Sequence, residues 1–179
     1  RVYFQTGKHD EALTQLQKYF DGQLQSKGRA AYVLLADILK ATKKSDELIG
    51  RLETLAKKDA RNALLQLFLA DQYLAAKRLD DAEAMYKTAL KSSTEMSGYL
   101  GLAAVYRQQK RPAELIQALA KGFGGTRSPE QLAANLGKLE TEMKAIQEDE
   151  KLLDSLIAAG REMSKGDNPK LDFNGSFIL

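Results

Sequence analysis

Apolar residues recur along the chain at steps of three and four, and nowhere alternate with polar ones between turn clusters, so the pattern predicts helices and no strand. The helical pattern itself repeats. Laid over one another from Tyr3, Ala36, Ala70 and Ala103, four segments keep the same order. The clearest carries Ala70, Tyr73, Ala82, Tyr86 and Ala89. The one before it places Ala36, Leu39, Leu48, Leu52 and Leu55 at the same intervals, and the one after it Ala103, Tyr106, Leu115, Leu119 and Gly122. The chain's beginning fits as a copy without its start, with Tyr3, Ala12, Leu16 and Tyr19. Between these positions the turns align as Gly7-Lys8-His9-Asp10, Lys43-Lys44-Ser45-Asp46, Lys77-Arg78-Leu79-Asp80 and Lys110-Arg111-Pro112-Ala113. The steps from Ala12 to Leu48, Ala82 and Leu115 are 36, 34 and 33 residues.

Each recurrent position has a physical reason. A small residue followed three later by a large one lies on one helix face, so the alanine admits a neighbouring helix and the tyrosine or leucine fills the space beside it. Acidic residues after each turn fall in the first turn of a second helix, where unpaired amides and the positive end of the dipole favour them. Pro112 sits at such a start, where its missing N–H costs nothing. The unit is helix, short turn, helix, and Tyr73, Tyr86, Tyr106 and Ala82 are expected to be core. No single pair can bury its faces, so stability comes from contacts between neighbours.

Ala70, Tyr73, Ala82 and Tyr86 carry a resemblance to the tetratricopeptide repeat family, whose pattern is a small residue, an aromatic three later, Ala in the second helix and an aromatic four after that. Asp59-Ala60-Arg61-Asn62-Ala63 is similar to that family's linker, with Ala60 where Pro is common. The resemblance covers about Arg1 to Gly122, and it implies an all-α, right-handed solenoid of antiparallel helix pairs. The repeats then run over 1–28 (truncated), 29–62, 63–95 and 96–122. It also implies a concave groove, lined by first helices, that holds an extended peptide or a partner helix. By position the groove takes Val33, Asp37 and Lys40, then Leu67, Asp71 and Leu74, then Leu100, Ala104, Arg107 and Gln108. Asp37 and Asp71 are expected to contact basic groups of a partner, and Arg107 an acidic one. Family members that clamp a chaperone's terminal carboxylate use Lys, Arg and Asn on these helices; Asp37 and Asp71 argue against that ligand.

Beyond Gly122 the register weakens. Three glycines within Gly122-Phe123-Gly124-Gly125 would cost about 1 kcal/mol each inside a helix, so a Gly-rich loop is expected over 123–128. It lacks the preceding strand and the Lys of a phosphate-binding loop. Ser128-Pro129-Glu130-Gln131 then reads as a capped helix start, followed by the stripe Leu132, Leu136, Leu139, Met143 and Ile146. A second helix follows from near Asp149 to about Met163. Stepping 34 residues from Leu115 puts Glu140 at the aromatic position, so 129–166 reads as a degenerate pair. Residues 167–179 read as the opening of a further helix.

Composition narrows function mainly by exclusion. The chain has 179 residues with a formal net charge of +3, no Cys, no Trp and one His. There is no disulfide framework, thiolate nucleophile or cysteine zinc site. The doublets Lys43-Lys44 and Lys57-Lys58 have no flanking aromatics to stack on bases, so nucleic acid is not expected as a partner. No apolar run approaches the length of a membrane span. His9, beside Asp10, is expected to be a solvated turn residue, and Glu148-Asp149-Glu150 lacks the spacing of a calcium loop. No catalytic constellation, cofactor or metal site emerges. The reading is a non-catalytic protein-interaction scaffold. The alternatives are the recruiting arm of a larger enzyme whose catalytic domain lies outside these residues and, less favoured, a helical-repeat RNA binder. Apolar ends at Tyr3-Phe4 and Phe173 to Phe177 predict end-to-end self-association or disorder at the termini. The chain begins with Arg1 and reads as a fragment, so localisation stays open.

Overall fold

The computed structural model describes residues 1–22, 28–125 and 128–164, and among these the protein is all-helical. Its elements are α1 (Val2–Gln5), α2 (His9–Asp21), α3 (Arg29–Ala41), α4 (Glu47–Lys58), α5 (Ala63–Ala75), α6 (Leu79–Ala89), α7 (Met96–Gln108), α8 (Pro112–Gly125), α9 (Pro129–Gln147) and α10 (Glu150–Ser164). They form two compact units, Arg1–Ser92 and Ser93–Leu179. The expected further helix over 167–179 lies outside the described residues.

One turn recurs in both units. Gly7, Lys43, Lys77 and Lys110 have φ of 76°, 58°, 61° and 56°, the left-handed conformation that ends a helix. In each case the next amide turns back to a carbonyl five residues earlier: Lys8 to Tyr3 at 2.9 Å, Lys44 to Leu39 at 2.7 Å, and Arg78 to Tyr73 and Arg111 to Tyr106 at 2.9 Å. These acceptors are the large residues of the repeat, so the position that fills the core also supplies the carbonyl that closes the turn. Lysine bears the side-chain penalty of this conformation at three of the four turns, where glycine is usual.

In the first unit, α3 packs on α2, and α5 packs on α3 and α4 while pairing with α6. An aromatic ladder crosses three of these helices: Phe20 of α2 stacks on Tyr32 of α3 with centroids 5.7 Å apart, and Tyr32 meets Phe68 of α5 at 6.1 Å. Tyr73, Tyr86 and Ala82 are buried, as their spacing requires. The 59–63 linker is held by Asn62. Its side-chain oxygen accepts from the Leu65 amide and its nitrogen donates to the Tyr32 hydroxyl, both at 3.0 Å, which caps α5 and ties it to α3. The Tyr73 hydroxyl donates to Glu53 of α4 at 2.8 Å, and Arg78 lies over the Tyr73 ring.

Two of these phenols are held neutral by their surroundings. Burial, reinforced by Asp59, pushes Tyr32 up to about 12, and burial with the hydrogen bond to Glu53 pushes Tyr73 up to about 12. A folded-state value above the ordinary ~10 means that this stabilisation is fully present below pH ~10 and is lost as pH rises through the folded value. A phenolate absorbance titration should show Tyr32 and Tyr73 contributing to a late-ionising phase. Replacing both with Phe should shrink the late phase; a late phase of unchanged size would contradict the packing described.

In the second unit α7 pairs closely with α8, α9 packs on α7, and α10 packs on α8 and α9. Tyr106 is buried, with Arg111 over its ring at 4.7 Å, the arrangement that Arg78 makes with Tyr73. Phe123, Gly124 and Gly125, expected in a Gly-rich loop over 123–128, belong instead to α8, while Thr126 and Arg127 lie outside the described residues. Close packing on α7 compensates the glycine cost. A Cβ on Gly122 would lie 3.1 Å from the Tyr99 Cβ, so glycine lets the two helices approach there. Asp149 caps α10, accepting from the Leu152 amide at 3.0 Å.

The register of the last pair also differs from expectation. First helices α5, α7 and α9 begin at Ala63, Met96 and Pro129, a constant step of 33 residues. That step carries Ala70 and Ala103 to Leu136, and Tyr73 and Tyr106 to Leu139 rather than to Glu140. The aromatic position is therefore filled by leucine, and the departure lies at the small position, where Leu136 replaces alanine. The stripe is not buried as its period suggests: Leu132, Leu136 and Met143 are exposed, Leu139 is half-buried, and only Ile146 is fully covered.

Candidate partner-binding face

The positions nominated for a partner divide sharply once the side chains are placed. On α3 of the first unit, Val33, Asp37 and Lys40 follow one another at steps of four and three and share a face, and all three are exposed. Tyr32, Leu35, Ile38 and Leu39 occupy the buried side, so the exposed face follows from the amphipathic pattern of α3. Among the described residues no ion pair or side-chain hydrogen bond engages Asp37 or Lys40. On α5, Leu74 is half-buried and Leu67 is buried at 2% exposure, because α5 packs on α3, α4 and α6 and has little free surface. The apolar group that α5 does expose is Leu64, at 40%.

Asp71 is not available to a partner's cation. Its Oδ2 accepts from the Arg29 guanidinium at 2.7 Å, and its Oδ1 accepts from the Tyr86 hydroxyl at 2.7 Å. Arg29 also lies over the Phe68 ring, 5.3 Å from its centroid. The carboxylate thus joins α3, α5 and α6, with both oxygens committed. Arg107 of the second unit is also engaged: its Nε and Nη2 donate to Glu142 of α9 at 2.8 and 3.3 Å, and Glu142 itself is buried. Leu100 and Ala104 are buried as well, while Gln108 is half-buried. Of the four charged positions nominated for a partner, Asp37 and Lys40 are open; Asp71 and Arg107 are structural struts. Spacing along one helix finds the face but not the distant groups that close it: Arg29 lies 42 residues from Asp71, and Glu142 lies 35 from Arg107.

Other polar groups have local roles. His9 is not a solvated turn residue; it opens α2, half-buried, with its ring 5.3 Å from Phe4 and its Nδ1 sheltered without a hydrogen-bond partner among the described residues. A cleft of about 370 Å³ opens between α2 and α4 over Phe20, Leu35 and Leu55. Its charged rim is paired internally, Arg51 with Glu47 at 2.7 Å and Lys58 with Asp21 at 3.5 Å. Among the described residues no cluster of His, Asp and Glu could hold a metal ion, and no helix is long and apolar enough to cross a membrane. Neither a protein-family model nor a curated protein matches the chain.

Proposed function

We propose that the chain is a non-catalytic interaction scaffold, a right-handed array of tetratricopeptide-like helix pairs that takes an extended peptide or a partner helix on its first helices. The turn shared by four helix pairs, closed each time by the carbonyl of the same repeat position, supports the repeat reading. The observation that carries the functional reading is the division on α3 and α5. Val33 stands exposed on α3 with the open charges Asp37 and Lys40, and Leu64 is exposed on α5, while Arg29, Asp71 and Tyr86 are locked together. A face whose supporting polar groups are already satisfied loses little freedom on binding.

A photoreactive amino acid placed at Val33 or Leu64 should capture one defined protein from cells, and the same group at Thr88 on α6 should not. Asp37→Ala should weaken that capture about five- to tenfold without changing the melting temperature, a loss of about 1 kcal/mol for an exposed charge contact. Asp71→Ala should lower the melting temperature instead. Equal capture from Thr88, or no response to Asp37→Ala, would contradict the assignment.

A further inference from the structure

The repeat itself shows what the open charges of α3 accept. Asp37 stands eight residues after the start of α3 at Arg29, and Asp71 stands eight after the start of α5 at Ala63, so the two carboxylates hold one repeat position. At Asp71 that position takes a guanidinium, from Arg29 at 2.7 Å. Lys40 lies eleven residues after the start of α3, and Arg107 lies eleven after the start of α7 at Met96. At Arg107 that position takes a carboxylate, from Glu142 at 2.8 Å. On α3 both positions are exposed, and among the described residues no counter-charge reaches either of them, nor do the two pair with each other. A lone exposed charge is ordinary; an acid and a base left open side by side, at positions that are filled on other first helices, form a complementary template.

The spacing of the template sets the shape of its ligand. Val33, Asp37 and Lys40 follow one another along one face of α3, with rises of about 6 Å and about 4.5 Å between them. In an extended chain, side chains on one face recur about every 6.6 Å, so alternate residues of a peptide lying along α3 meet the three positions in turn. A partner helix docks through several large apolar anchors at helical spacing, whereas the exposed large apolar residue of α3 is Val33. One apolar contact beside two opposite charges suits the extended form.

We propose that the α3 face takes an extended peptide whose central arginine meets Asp37, with an apolar residue two positions to one side against Val33 and an acidic residue two positions to the other side at Lys40. Either chain direction leaves the arginine central. Arginine is favoured over lysine because its planar fork is matched to a carboxylate, and Arg29 is the group seen at the equivalent Asp71. This inference rests on the reading of α3 as the partner face and adds the chemistry of the partner.

Random linear heptapeptides displayed on phage and selected on the protein should be enriched in that order of residues. The best of them, made as a free peptide, should bind about thirtyfold more weakly to the variant with Asp37→Lys and Lys40→Asp together, because two charge contacts are lost at once. Exchanging the arginine and the acidic residue of the peptide should restore its affinity for that variant. Val33→Glu should release the peptide, and all three positions are exposed, so the variants should keep the parent's melting temperature. Selected peptides that Val33→Glu releases but that show no charge order, or that bind the charge-exchanged variant unchanged, would overturn this inference and leave the partner face standing. Peptides indifferent to every one of these substitutions, or no enrichment at all, would overturn both.

Discussion

Replacing Arg107 with methionine is expected to lower the stability of the second unit by about 3 kcal/mol, one of the largest effects of any exposed-looking residue in the chain. By sequence position Arg107 lies among the nominated surface residues. In the structure two of its nitrogens hold both oxygens of Glu142, whose side chain is only 10% exposed. Methionine keeps the volume of the arginine stem but leaves a buried carboxylate with neither water nor a cation, and that desolvation is the source of the loss. The double replacement Arg107→Met with Glu142→Leu should recover most of it, because an apolar pair removes the buried charge together with its partner. Urea unfolding of the two variants distinguishes the cases. A single variant as stable as the parent would mean that α9 does not pack on α7 as described.

Truncating Tyr86 to alanine should cost the first unit about 4 kcal/mol. The ring is fully buried in α6 at a repeat position, and its hydroxyl is one of the two groups that hold Asp71. Tyr86→Phe separates the contributions. It keeps the packing and removes one hydrogen bond to a charged acceptor, for an expected loss of about 1.5 to 2 kcal/mol, so the remainder belongs to the cavity. If the phenylalanine variant lost as much as the alanine variant, the polar strut through Asp71 and Arg29 would outweigh packing, against the repeat logic that places an aromatic there.

Much of this organisation is legible in the residues. Tyr73, Tyr86, Tyr106 and Ala82 repeat because helix period and helix contact fix where large and small groups fall, and those rules act within a few residues. The turns at Gly7, Lys43, Lys77 and Lys110 align in the sequence for the same local reason. The exposed face of α3 is legible from its own amphipathic period. The destinations of Asp71 and Arg107 are not, because their partners come from helices brought near only by the fold, and a charged residue on a helix reads alike whether it faces water or a distant counter-charge. The end of α8 departs from expectation because a glycine cost that holds for an isolated helix is offset when Gly122 lets that helix approach Tyr99. On α5 the exposed large apolar residue is Leu64 rather than Leu67, because α5 meets three helices and keeps only a narrow strip for solvent.

One helix pair, closed by one turn, recurs along the chain, and the roles given to the individual residues depend on that recurrence. Residue-resolved amide hydrogen exchange tests it most directly at Lys8, Lys44, Arg78 and Arg111. Each lies in a turn, three of them exposed and Arg111 half-buried, and each amide is bonded inward to the repeat residue five positions back. Slow exchange is expected at all four, comparable to the adjoining helices. Exchange at the rate of an unstructured chain at Lys44, Arg78 and Arg111 would contradict it.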